Sequence, residues 1–132
     1  MQDLGHWVTS LPVPEEAYGF IYMITNLETD KKYIGKKQMV SKRTKPPLRG
    51  KKRKRICMVE SDWKTYVSSS NELVKDINTI GKDKFKFEIL KFCYNKSQLA
   101  YYEAKEQFDR EVLLKEDYYN GIINLRLGKV KI

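Results

Sequence analysis

Hydrophobic positions fall into five main blocks along the chain, and their spacing differs from block to block. Residues 19–25, GFIYMIT, are a dense run of strand formers. Residues 26–32 are polar and read as a turn, and residues 32–35, KYIG, supply a second strand, so the two pair as a hairpin. Residues 71–80 place Leu73, Ile77 and Ile80 on one helical face, with Ser70 or Asn71 as the cap and Gly81 as the stop. Residues 84–93 alternate, with Phe85, Phe87 and Ile89 on one side and Lys84, Lys86 and Glu88 on the other, which is strand periodicity. A turn at 95–97 precedes a long helix over about 97–115, with Tyr101, Ala104, Phe108 and Val112 as its buried stripe. A short helix over 59–66, capped by Ser61 or Asp62, and a tight Asn120-Gly121 turn complete the list. The order β-β-α-α-β-α predicts an α+β domain: a three-stranded sheet of mixed or antiparallel pairing, flanked by helices. Residues 1–17, with Pro12 and Pro14, read as an arm pinned by Trp7, and residues 18–132 as one domain.

Composition narrows the class. A chain of 132 residues suits one modest core. Its net charge of +9 favours a polyanionic partner, nucleic acid before an acidic membrane. Cys57 and Cys93 form no CxxC pair, so a structural zinc site is not expected and two free thiols are. No secretory signal and no membrane-length apolar run occurs, and an intracellular, cytoplasmic protein is expected.

The charge is concentrated. Residues 41–55, SKRTKPPLRGKKRKR, hold nine Lys or Arg and no acid. Pro46-Pro47 and Gly50 argue against a helix, so the segment is expected to be a basic loop that tracks phosphates. Its expected contacts are Lys42, Lys45, Arg49, Lys51, Lys52, Arg53, Lys54 and Arg55. A merely solvated loop is the plainer alternative. The lone histidine, His6, lies in the arm, which gives histidine-based hydrolysis little support.

Phe20-Ile21-Tyr22 and Tyr33-Ile34-Gly35, with their tyrosines eleven residues apart, resemble the two signature motifs of the GIY-YIG nuclease family. The resemblance continues through the strand FKFEIL, the glutamate in AYYEAK and the asparagine in GIINLRLG, covering residues 18–126. The first motif departs slightly, reading G-F-I-Y from Gly19. The family's arginine, about eight residues beyond the second glycine, corresponds to Arg43, with Lys37 and Arg49 as alternatives. Small stand-alone nucleases of phage or mobile-element type are of this kind.

The resemblance implies a metal-dependent DNA endonuclease that nicks or cuts by direct attack of water. Glu103 would hold Mg²⁺, or Mn²⁺ in its place, since one carboxylate suits an ion that keeps several waters. Tyr22 would be the general base, its pKa lowered by the neighbouring cations. Tyr33 would orient water or phosphate, Arg43 or Lys37 would grip the non-bridging oxygens, and Asn124 would brace the site. DNA is the expected partner, with a homodimer or a targeting protein supplying specificity. Two other readings stay open: a non-catalytic basic nucleic-acid-binding module of the same fold, and an RNA-binding basic protein. Loss of cleavage with retained binding in Glu103→Ala separates the enzyme from the first; preference for structured RNA at matched salt would mark the second.

Overall fold

The computed structural model describes residues 3–123 and 126–132, apart from the side chains of Lys42, Arg43 and Ile56. Strand β1 (Gly19–Asn26) lies between β2 (Lys32–Gln38) and β5 (Phe85–Cys93) in an antiparallel sheet of order β2-β1-β5. Strands β3 (Val40–Lys45) and β4 (Arg55–Glu60) form a separate two-stranded ribbon. Helix α1 spans Asn71–Ile80 and α2 spans Lys96–Asp109. The architecture is the expected α+β one, with a three-stranded antiparallel sheet and two helices.

β1 is apolar almost throughout because both of its faces are covered. On one face Phe20, Tyr22 and Ile24 join Trp7, Trp63, Leu73, Ile77 and Phe87. On the other, Ile21 joins Ile34, Cys93, Leu99 and Val112. Leu90 is the extra residue of a bulge: Ile21 pairs with Lys91 and Tyr22 with Ile89. The bulge reverses the parity of β5. Phe92 therefore follows Phe85, Phe87 and Ile89 into the first core, while Leu90 and Cys93 turn to the second. Both cysteines are free.

The arm packs on the body. Val8 bridges β5 at Glu88, and buried Trp7 donates its indole N–H to the Trp63 carbonyl. His6 stacks on Phe87, its ring centroid 4.0 Å away. Its Nε2 lies 2.8 Å from the Tyr66 carbonyl, which can only accept, so Nε2 carries the proton. Nδ1 is buried without a partner. Burial, with Lys82 nearby, holds the imidazole down at about 4.

Helix α1 follows expectation. Ser70 accepts from the Leu73 N–H, Leu73 and Ile77 are buried, and Gly81 ends the helix at a φ of 113°, where glycine is favoured. Three other expectations are corrected. Residues 41–55 are not one loop: 40–45 and 55–60 pair as the ribbon, and only 46–54 form its tip. Pro46-Pro47 and Gly50 punctuate that tip rather than prevent strand formation. Residues 59–66 are not a helix, because Val59 and Glu60 end β4 and turns follow. Helix α2 stops at Asp109, and its buried positions are Leu99, Ala104 and Gln107, whereas Tyr101 and Phe108 face solvent. The polar Gln107 took a core position that an apolar stripe would assign to Phe108, because it has a backbone acceptor to reach.

That acceptor belongs to the edge of β2. Lys32 N–H donates to Asp117 and Tyr119 N–H donates to Lys32, so residues 117–119 cover the first part of the edge. Next along, the Asn120 side chain accepts from Ile34 N–H at 3.0 Å and donates to Ile34 C=O at 2.8 Å. Gln107 donates to the same carbonyl at 3.1 Å. A side-chain amide thus stands in for a neighbouring strand.

Asn120→Ala leaves the buried Ile34 N–H unpaired and should lower unfolding free energy by about 2–3 kcal/mol in urea titration. For His6, the folded value lies below the usual 6.5, so the unfolded chain binds the extra proton first. Stability should therefore fall as pH drops from about 6.5 to about 4, and thermal melts of His6→Gln should show a shallower fall across that window.

Candidate active site

The site is built at the same edge, from three distant stretches of chain. Tyr22 on β1 pairs in register with Gly35 on β2. A Cβ at Gly35 would stand 2.5 Å from Tyr22 Oη and 2.9 Å from Tyr33 Cε1. The glycine of the second motif is thus the space through which the first tyrosine reaches. The Tyr22 ring lies 6.1 Å from that of Tyr33 and 6.2 Å from that of Tyr66. Tyr33 Oη meets Ser69 Oγ at 3.4 Å.

Glu103 arrives from α2. Leu99, Glu103 and Gln107 are spaced four apart and share one helix face. Leu99 is fixed in the second core and Gln107 on Ile34, so the carboxylate between them is held at the sheet edge. Tyr22, Tyr33, Lys36, Tyr66, Glu103 and Asn120 all line one cleft of about 500 Å³. Tyr119, also at its wall, donates to Asp76 Oδ2 at 2.6 Å and ties the cleft to α1.

The electrostatics of this cleft are those of burial. Desolvation pushes the Tyr22 phenol well above its usual range, with Tyr33 and Tyr66 adding to the effect and Ser68 partly offsetting it. This corrects the expectation of a lowered pKa: the dense cations lie on the ribbon and not against the phenol. Tyr33 is raised too, again mainly by burial. Burial also raises Glu103, against the ammonium and backbone amide of Lys36. Lys36 Nζ is 4.0 Å from its carboxylate.

Of the other residues named from the sequence, Lys37 turns to the face of β2 opposite Lys36, the face that carries Tyr33. It pairs with Asp62 at 2.7 Å and lies 4.1 Å from the centroid of the Tyr66 ring, and this pairing holds the Asp62 carboxyl below its usual value. The backbone of Arg43 is in β3, but its side chain, like that of Lys42, lies outside the described residues. Asn124 lies outside them as well. Among the described residues a brace at this edge is formed by Asn120, which the sequence presented only as a turn former. Lys45, Arg49, Lys51, Lys52, Arg53, Lys54 and Arg55 are exposed on the ribbon and its tip. Lys36 was missed altogether. The available signal was its place directly after the second motif, where strand alternation turns it toward the helix that carries Glu103.

Glu103 is the acidic side chain of the cleft. Among the described residues no group of three His, Cys, Asp or Glu could enclose a metal. Burial of this carboxylate outweighs the help it receives from Lys36, so its anion would gain from a cation. One carboxylate in a roomy, largely polar cleft fits an oxygen-seeking divalent ion that retains its waters.

A family model described as "Putative endonuclease segE, GIY-YIG domain" matches residues 7–123. Comparison with the curated proteins and with the solved structures gives no match. Among the described residues no helix is long and apolar enough to cross a membrane.

A carboxylate ionised against burial costs stability. Glu103→Gln should melt higher than the native chain at pH 8, where the native group is charged. The gap should narrow toward pH 4 as it takes up its proton, and differential scanning calorimetry at the two pH values measures this.

Proposed function

Since the chain belongs to the GIY-YIG endonuclease family, we propose that it is a metal-dependent DNA endonuclease acting at the cleft between β2 and α2. The convergence of Tyr22, Tyr33 and Glu103 on one cleft, from positions up to 81 residues apart, carries this reading. Tyr22 is almost fully buried, and its hydroxyl stands at the gap left by Gly35, with Ser68 beside it.

A bound Mg²⁺ or Mn²⁺ would polarise the phosphate and assist departure of the leaving oxygen. Glu103 is the residue to hold it. Lys36 neutralises part of the charge that phosphate brings to the carboxylate. Tyr22 positions the attacking water and takes its proton. Its raised pKa leaves little phenolate near neutrality, so the rate climbs with pH. Tyr33, held by Ser69, orients the water or the phosphate. The exposed cations of the ribbon supply sequence-independent grip on the DNA backbone. One such cleft cuts one strand, and a double-strand break takes two copies or two successive nicks.

Nicking of supercoiled plasmid tests the assignment. Tyr22→Phe should lose about 10²–10⁴-fold in rate and Glu103→Ala more, with binding of DNA retained. The native rate should rise through the alkaline range, and the residual rate of Tyr22→Phe should not. Comparing Lys36→Ala, Lys37→Ala and Arg43→Ala identifies the cation that serves the phosphate. A native chain that binds DNA but fails to nick it with either metal is a binding module instead.

A further inference from the structure

The cleft does not end at Glu103. Lys36 and Glu103 also wall a second hollow of about 800 Å³, completed by Lys96 and Ala100 of α2 and by residues 126–128. Lys96 recurs in a third hollow of about 540 Å³ with Tyr18, Gln38, Met58 and Tyr94. Met58 belongs to β4, so this last hollow abuts the ribbon. Each hollow shares a lining residue with the next, and together they make one trough from the tyrosines to the ribbon.

The trough has a built outer wall. Asn95 Nδ2 and Gln98 Nε2 both donate to the Lys131 carbonyl at 3.0 Å, and Lys131 N–H donates to Ser97 Oγ at 3.1 Å. These bonds hold the C-terminal tail across the first turn of α2. Along the trough stand Lys36, Lys96 and Arg126, and Glu103 is the one acid in the linings of the two outer hollows. Among the described residues neither Lys96 nor Arg126 has a carboxylate partner. Tyr94 is 48% exposed at the far end.

We propose that this trough is the track of the nucleic-acid strand beyond the cut. Lys36, Lys96 and Arg126 contact phosphates along it, and Tyr94 offers its ring face to a base. Cations that follow a groove, with an exposed aromatic beside them, are how proteins hold a strand without reading it. The inference rests on the nuclease reading of the cleft, because it makes the scissile phosphate the starting point of the track.

The test uses the full chain carrying Glu103→Gln, a labelled DNA duplex with a single-stranded extension, and fluorescence anisotropy over a range of salt. Lys96→Ala and Arg126→Ala should each lower the slope of log K against log salt by about 0.7–0.9. Tyr94→Ala should weaken binding about fivefold or more, and Tyr94→Phe should restore it. In the active chain, Lys96→Ala and Arg126→Ala should raise KM severalfold and leave kcat within about twofold. An unchanged slope in the Lys96→Ala/Arg126→Ala double variant overturns the track, as does a fall in kcat with intact binding. Weakened binding by these variants, in a protein that cleaves nothing, would leave the track standing and remove the endonuclease reading alone.

Discussion

The amide of Asn120 occupies both backbone groups of Ile34, and the geometry of the cleft follows from that lock. An edge strand otherwise presents free N–H and C=O groups to any passing strand. Here the edge is closed by residues 117–119, then by one side chain, and it opens into the cleft at the very next residue, Gly35. Gln107 adds a third bond at the same carbonyl and brings α2 into the lock. The position of Glu103 is thereby set relative to β2 rather than to its own helix alone. Tyr22 belongs to the core on one face of the sheet and Glu103 to the helix packed on the other, and both line one cleft where the edge strand lacks a side chain at Gly35.

Electrostatics act here on two scales. The positive charge of the chain is densest on the ribbon and its tip, and such a field draws polyanions from a distance. Inside the cleft the governing quantity is lost hydration, which disfavours both the phenolate and the carboxylate. Only the first scale is visible in a composition. That is why counting cations gave the wrong sign for Tyr22.

Local patterns made much of the fold legible. The Ser70 cap, the stop at Gly81 and the Phe85-Phe87-Ile89 alternation are short-range signals, and each led to the element observed. The tyrosine motifs located the hairpin, and the glutamate of AYYEAK fell in a helix, α2, as expected. What escaped depended on partners distant in sequence. The ribbon places Lys45 opposite Arg55, a like-charged pair that no pairing preference would choose. The buried face of α2 includes Gln107 because of an acceptor 73 residues away. Asn120-Gly121 looks like a turn in any window short enough to read, and its role as a brace exists only once β2 is beside it.

The ribbon divides the chain in a way that matters for the cleft. Its tip, residues 46–54, is exposed, rich in tryptic sites and free of acids. A single break between Lys51 and Lys52 would leave Tyr22 and Tyr33 on one fragment and Glu103 and Asn120 on the other. The pairing of β1 with β5 would still hold the two pieces together. The molecule is thus naturally bipartite: complementary halves whose reunion through the β1–β5 and β3–β4 pairings would rebuild the cleft.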